Sequence, residues 1–299
     1  MSTIRNWQLF AICVAVWSTT WYAITYQIGL SAPEVGVALR FFLAGTVVLG
    51  WCAARGLRLG LGWREHGLLA LQGCFLYGVS YIFVYHAEKH LVSGVVAVGF
   101  SASPLVTGLG AWALFGLGLS RRFLVGGVLG LGGVAMIFWP ELARARASEG
   151  AALGALFTVA AVGLSAVGSL TASRNRSYHI PFWPALGWGM LYGSLASAMV
   201  ALVQGESFAL PAVASWWLSL LYLSLAGSVL TFACFLTLQD RLGPGPTGTI
   251  GVMTPLLALA LSVPLENYRP SLLAACGASL AIAGNFLMLK VESRKRPIS

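Results

Sequence analysis

Three short runs hold the side chains that could do chemistry. Trp17, Thr20 and Trp21 are spaced i, i+3, i+4, which sets two indoles and a hydroxyl on one helical face, with Ser18 and Thr19 adjacent. Tyr77, Tyr81 and Tyr85 recur every fourth residue and Ser80 follows Tyr77 by three, giving a stripe of phenols. Ser101 and Ser103 precede Pro104, whose missing N–H leaves a carbonyl free inside a helix. Aromatic faces and small hydroxyls suit a ligand with a flat apolar body and a zwitterionic head. Stacking contributes about 0.5–1.5 kcal/mol per ring beyond area burial, and an ammonium is attracted by indole faces and by freed carbonyls. These groups bind rather than react. No nucleophile stands beside a base, and GPGPTG at Gly243–Gly248 lacks the Lys and Ser/Thr of a phosphate loop. Cys13, Cys52, Cys74, Cys234 and Cys276 form no CxxC pair, and His86 and His90 border a charged loop with Glu88 and Lys89. We expect no catalytic residue, no metal and no cofactor.

The elements that must position these residues are long and apolar. Hydrophobic residues make up 58% of the chain and charged ones 9%, against ~25% charged in soluble domains. All nine acids lie at or near the ends of apolar stretches. Between them run spans at approximately 7–28, 34–54, 66–87, 92–116, 122–140, 150–173, 182–203, 214–238, 245–264 and 270–290. Each is long enough to cross ~30 Å of hydrocarbon. Continuous runs of this length read as helices, because barrel strands show ~10-residue alternation. The expectation is an all-α membrane protein with ten transmembrane helices. The first span reads as a retained helix rather than a cleaved signal. The net charge of +9 is scattered through short loops instead of gathered in a patch, which argues against a nucleic-acid partner and for the lipid bilayer.

Loop charges predict the orientation. With the N-terminus inside, 13 of the 18 Lys and Arg residues face the cytoplasm. Lys89, Arg144, Arg146 and Arg269 face outward, and Arg40 stands alone within the second span. Both termini are therefore expected in the cytoplasm of a multi-pass inner (plasma) membrane protein. Trp7, Trp51, Trp63, Trp139, Trp183, Trp216 and Trp217 fall near the predicted interfaces, whereas Trp17, Trp21, Trp112 and Trp188 lie deeper. Gly126 and Gly130, extended by Gly127 and Gly132, mark a helix-packing seam in the fifth span.

The chain also repeats itself. At a constant offset of 151, Pro104 pairs with Pro255, Leu91 with Leu242, Gly94 with Gly245 and Leu105 with Leu256. Five spans per half force the second copy to enter the membrane upside down, as in many secondary transporters. The halves are expected at residues 1–145 and 146–299.

AVWSTTWYAI (Ala15–Ile24) followed by ALRFFLAG (Ala38–Gly45) resembles the opening of an EamA-type repeat of the drug/metabolite transporter superfamily. The helices of Pro104 and Pro255 are similar to its fourth and ninth, and PLENYRPSLLAACGASLAIAGNFLML (Pro264–Leu289) to its closing segment. The resemblance implies a ten-helix carrier that exports small metabolites by alternating access. Length, aromatic content and the first-helix Trp point to its aromatic amino-acid exporter branch. Glu266 stands before the last helix, but Phe115–Ser120 in the first half has no acid.

The resemblance implies a cavity drawn mainly from the first, third and fourth helices of each half. That assigns substrate binding to Trp17, Thr20, Trp21, Tyr77, Ser80, Tyr81, Ser101 and Ser103. Ser165, Ser169, Tyr222, Thr231 and Met253 join them from the second half, and Pro104 and Pro255 become helix breaks for gating. The tyrosine stripe keeps two readings, packing seam or pathway wall, since phenols facing lipid would cost several kcal/mol. Arg40 is expected to snorkel to an interface or pair with Glu34, and no Lys or Arg falls on the candidate faces, which disfavours a nucleotide sugar. With every acid at a boundary, a facilitator without a buried proton relay is expected, unless Glu266 or His86 lines a wet cavity. The alternative is a multidrug or other small-metabolite efflux carrier, with or without proton coupling. One chain holding both halves suffices as a monomer.

Overall fold

The computed structural model describes residues 4–116, 118–145, 150–178, 180–242 and 250–289. Among them there is no strand, only an isolated bridge between Ile28 and Ser31. The helices in chain order are α1 (Asn6–Thr25), α2 (Pro33–Ala54), α3 (Trp63–Glu88), α4 (Ser93–Phe115), α5 (Arg121–Ala145), α6 (Gly150–Ser177) and α7 (Phe182–Val203). They are followed by α8, made of Ala214–Leu221, Tyr222–Leu230 and Thr231–Leu242 end to end, then α9 (Ile250–Leu265) and α10 (Leu272–Leu289). Eight of the described helices, α1 to α8, are long and apolar enough to cross a membrane; α9 and α10 are shorter apolar helices. Gly245, which the repeat sets against Gly94, lies outside the described residues, as does the start of the predicted ninth span.

Local chemistry explains the ends. α2 begins with Pro33, whose fixed φ suits the first helical position, and Glu34, whose charge suits the helix N-terminus. α3 opens with Gly62 N–H donating to Glu65 Oε2 at 2.5 Å. α4 stops at Gly116, which takes the left-handed conformation that ends helices cheaply. Two helices contain a wide, π-type stretch: α3 at Cys74–Val79 and α8 at Tyr222–Leu230. Such stretches are rare and concentrate at functional sites.

The helices gather into two compact units, each drawing on both halves of the chain. One contains α1 up to Tyr22, α4, α5, the first turns of α6, α8 from Thr231, α9 and α10. Its tightest seam is α5 on α10, where the expected glycine face is found. A Cβ on Gly126 would lie 2.5 Å from Gly284 O, and one on Gly277 would lie 2.5 Å from Gly133 O. Since 126 faces 284 and 133 faces 277, the helices run antiparallel. Gly127 points elsewhere, against Leu105 of α4. α4 also packs on α9, with Gly94 against Leu259 and Ser262.

The other unit contains α2, α3, most of α6, α7 and α8 up to Leu230. α2 and α7 cross closely at Gly45 and Gly187, and Ser194 Oγ donates to Ala38 O at 2.7 Å. Trp216, expected at an interface, is buried here and donates Nε1–H to Ser31 Oγ at 3.0 Å. Its polar tip is satisfied by protein, so it needs no headgroup. Trp188 is anchored likewise: its Nε1–H reaches Leu59 O at 3.2 Å and its ring meets His66 and Tyr192. It is a packing residue that holds the α2–α3 connection. Trp7 and Trp63 stay exposed at helix starts, Trp139 is exposed six residues before the end of α5, and Trp112, expected deeper, is exposed in the last turn of α4.

Candidate functional site

In the unit built on α4, α9 and α10, the first-helix tryptophans are half-buried with aromatic partners. Trp17 meets Phe232 edge-on at 5.5 Å and Phe235 at 5.3 Å between centroids; Trp21 meets Phe100 at 5.2 Å. Thr20 turns its hydroxyl inward to Trp17 O at 2.7 Å. Ser18 bonds both Val14 O and Thr254 O, the latter at 3.0 Å, and so ties α1 to the residue before Pro255. Thr231 is buried and its carbonyl accepts from Cys13 Sγ, whereas Met253 is exposed.

Around Pro104 the expected free carbonyl is already taken. The helix tightens into a 3-10 turn at Phe100–Ala102, and Phe100 O accepts Ser103 N–H in place of the N–H that proline lacks. Ser101 O accepts Asn285 Nδ2 at 3.2 Å. Ser101, Val98, Pro255 and Asn285 line one small crevice, while Ser103 Oγ is buried without a hydrogen bond.

Glu266 has a structural task in the same unit. Ser262 O accepts both Glu266 N–H and Tyr268 N–H, and Asn267 closes the turn with φ 54°. This turns the carboxylate back to the start of α4. It accepts Ser93 N–H at 3.1 Å, Ser93 Oγ–H at 2.5 Å and Ser262 Oγ–H at 2.6 Å. Val92, the residue before α4, offers no side-chain cap, so Glu266 supplies one from a distant helix. Glu266→Ala is expected to cost about 1–2 kcal/mol, read as a lower melting temperature in detergent. Glu206→Ala at an exposed loop position should leave it unchanged.

In the unit built on α2, α3 and α7, the tyrosine stripe centres on Phe41, a residue the sequence reading passed over. Tyr77 and Tyr81 lie 5.5 and 4.9 Å from its ring centroid. Tyr77 is 3% exposed and Tyr81 half-buried. Tyr85 is buried and donates to Gln27 Oε1 at 3.1 Å, and Ser80 is buried and bonds back to Leu76 O. Ser165, Ser169 and Tyr222 are half-buried in the same unit.

Three charged residues depart from expectation: Glu34, Arg40 and Glu88, the last buried at the end of α3 rather than set in a loop. Glu34 is 1% exposed and its Oε1 lies 2.8 Å from His86 Nε2. Position at a helix end therefore did not mean solvation, and His86 is a buried carboxylate's partner rather than part of a solvated loop. Arg40 is 2% exposed and neither snorkels nor pairs with Glu34. Its Nε–H donates to Ser228 Oγ at 3.4 Å, and its guanidinium carbon lies 4.7 Å from the Tyr81 ring and 5.1 Å from that of Phe41. A cation thus touches the candidate face after all. The signal was in the sequence: an Arg seven residues into an apolar helix is about 10 Å from its start.

Eight long apolar helices and an absence of strands among the described residues define a multi-pass membrane protein. The EamA-like transporter family matches residues 5–139 and again residues 152–290, and the chain belongs to that family. It is 28% identical over 260 residues to the uncharacterized inner membrane transporter YedA of Escherichia coli (strain K12), covering 86% of this chain and 81% of YedA. It is 23% identical over 269 residues to protein PecM of Dickeya dadantii (strain 3937), covering 86% and 82% respectively. A solved crystal structure superposes with a TM-score of 0.69 at 22% identity over 97% of this chain and 99% of its own. That likeness speaks to the fold.

Proposed function

We propose that the protein is a ten-helix carrier, two inverted five-helix halves at residues 1–145 and 146–299, that exports aromatic and other neutral amino acids by alternating access. It works as a monomer in the inner membrane with both termini cytoplasmic, and as a facilitator that runs down the substrate gradient. Several features support the inverted arrangement. α2 with α7, α4 with α9 and α5 with α10 are helices of matching order in the two halves, and the close glycine contacts of α5 and α10 are antiparallel. The third helix of each half carries a π-type stretch, and the family matches twice. The substrate class rests chiefly on Tyr81, which is half-buried on the packed rings of Phe41 and Tyr77 and offers its own ring to a flat apolar body.

The test is uptake of labelled Phe, Trp, Thr and a lipophilic cation into liposomes holding the purified protein, with and without a proton gradient. We expect amino-acid flux that equilibrates without the gradient. Accumulation only when the gradient is imposed would defeat the facilitator reading, and cation flux alone would defeat the amino-acid reading. The second reading, proton-coupled efflux of drugs or other metabolites, is favoured by one observation: the buried carboxylate of Glu34 lies 2.8 Å from the partly exposed His86, an acid–imidazole pair that could carry a proton. Glu34→Gln with His86→Phe is expected to leave flux independent of the gradient.

A further inference from the structure

Arg40 presents an unsettled electrostatic account. A guanidinium buried in a membrane helix carries a desolvation cost of several kcal/mol unless it is paired. No ion pair involves Arg40 among the described residues, and its Nη1 is buried with no hydrogen-bond partner. What it has is Ser228 Oγ on Nε, the Phe41 and Tyr81 rings 5.1 and 4.7 Å from its guanidinium carbon, and a side-chain interaction with the Tyr85 hydroxyl. Each ring contributes roughly 0.5–2 kcal/mol, and the charge-assisted hydrogen bond to Ser228 about 1.5–3 kcal/mol. These contacts offset much of that cost, but they leave Nη1 buried without an acceptor. Folding alone would be served as well by an apolar residue, because α2 is otherwise apolar around this position.

The geometry also says which edge remains. Nε is engaged by Ser228 in the π-type stretch of α8, and the guanidinium carbon lies over the rings of Phe41 and Tyr81. Nη1 keeps donors without acceptors, and a guanidinium offers such donors as a planar fork that matches a carboxylate. Tyr81 is shared between the cation and the aromatic wall. A molecule whose carboxylate sits a two-carbon link from a ring could meet both at once. We propose that Arg40 binds the carboxylate of the substrate, so that transported molecules must be carboxylates, zwitterionic or anionic, and that lipophilic cations are repelled. This rests on the amino-acid reading above and narrows it to the head group that is recognised.

The experiment is competition against labelled Phe uptake in proteoliposomes, using hydrocinnamate, which keeps the carboxylate and lacks the amine, and phenethylamine, which keeps the amine and lacks the carboxylate. Hydrocinnamate is expected to compete within a few-fold of Phe, and phenethylamine at least tenfold more weakly. Arg40→Gln should raise the KM for Phe at least tenfold, with Arg40→Lys retaining part of the affinity. Equal competition by the two analogues, or a wild-type KM in Arg40→Gln, would overturn the assignment. If Arg40→Gln does not fold, the wild-type competition decides alone. If no amino acid is transported, the amino-acid reading fails, and the melting temperature of the wild-type protein decides the Arg40 assignment. A rise with hydrocinnamate and none with phenethylamine sustains it, and any other pattern refutes it.

Discussion

Gly277→Leu is expected to abolish most of the folded protein. A side chain at 277 would meet Gly133 O at 2.5 Å, Met136 Cβ at 2.8 Å and Ile137 Cγ1 at 3.0 Å. The first of these is backbone on a helix pinned by further contacts at Gly126 and Gly284, so neither helix can yield alone. Overpacking costs typically about 1–3 kcal/mol and more where no side chain can rotate away. In lipid there is also little hydrophobic gain to offset it, because lipid tails are as apolar as leucine and helix association rests on close packing. Monodisperse yield in mild detergent is the readout. Gly163→Ala is the control: nothing lies within 4 Å of the added carbon, and it should be neutral or stabilising by up to ~1 kcal/mol. Wild-type yield from Gly277→Leu would mean that α5 and α10 do not approach as described.

The same seam shows what could be read from sequence and what could not. Gly126 and Gly130 announce a close-packed face because small residues four apart share a side of a helix, and that inference needs no knowledge of the partner. Gly127 looked like part of the face but is one residue, and about 100°, further round, and it meets Leu105 instead. Helix extents were legible for a related reason. Charges avoid hydrocarbon, so their positions mark the ends of spans. The same logic misled for Glu34, which is at a helix end yet buried, because the end of a helix can be covered by a neighbouring helix as well as by water.

Partners distant in sequence are where single-chain reasoning stops. Phe41 and the tyrosines of α3 come together only because α2 and α3 pack, and nothing in the spacing of α3 reports it. Arg40 reaches Ser228 across 188 residues, and Ser93 reaches Glu266 across 173. Pro104 illustrates a third case. The missing N–H was certain from sequence, but whether the orphaned carbonyl would be left for a ligand depended on the backbone tightening into a 3-10 turn, a choice local sequence does not dictate.

Tyr81→Leu is expected to cut transport of Phe by about thirtyfold while the protein stays folded. Tyr81 differs from its neighbour Tyr77 in one decisive way: it is half-buried, where Tyr77 is 3% exposed. The ring contributes a contact with Phe41 at 4.9 Å and the face that meets Arg40 at 4.7 Å. Losing the substrate ring's stacking on Tyr81 and its ammonium's contact with the same ring together removes about 2 kcal/mol of substrate binding, which converts to a factor of about thirty. Leucine keeps much of the apolar volume, so the melting temperature should move by only a few degrees. Tyr81→Phe retains the ring and should retain most of the flux, which separates the ring's role from the hydroxyl's. Tyr77→Leu, by contrast, replaces a residue that is 3% exposed and should lower stability and flux together. Initial rates of labelled Phe uptake, set beside melting temperatures, distinguish these cases. A Tyr81→Leu protein that transports at the wild-type rate would return the tyrosine stripe to a packing seam and move the pathway wall to Trp17 and Trp21.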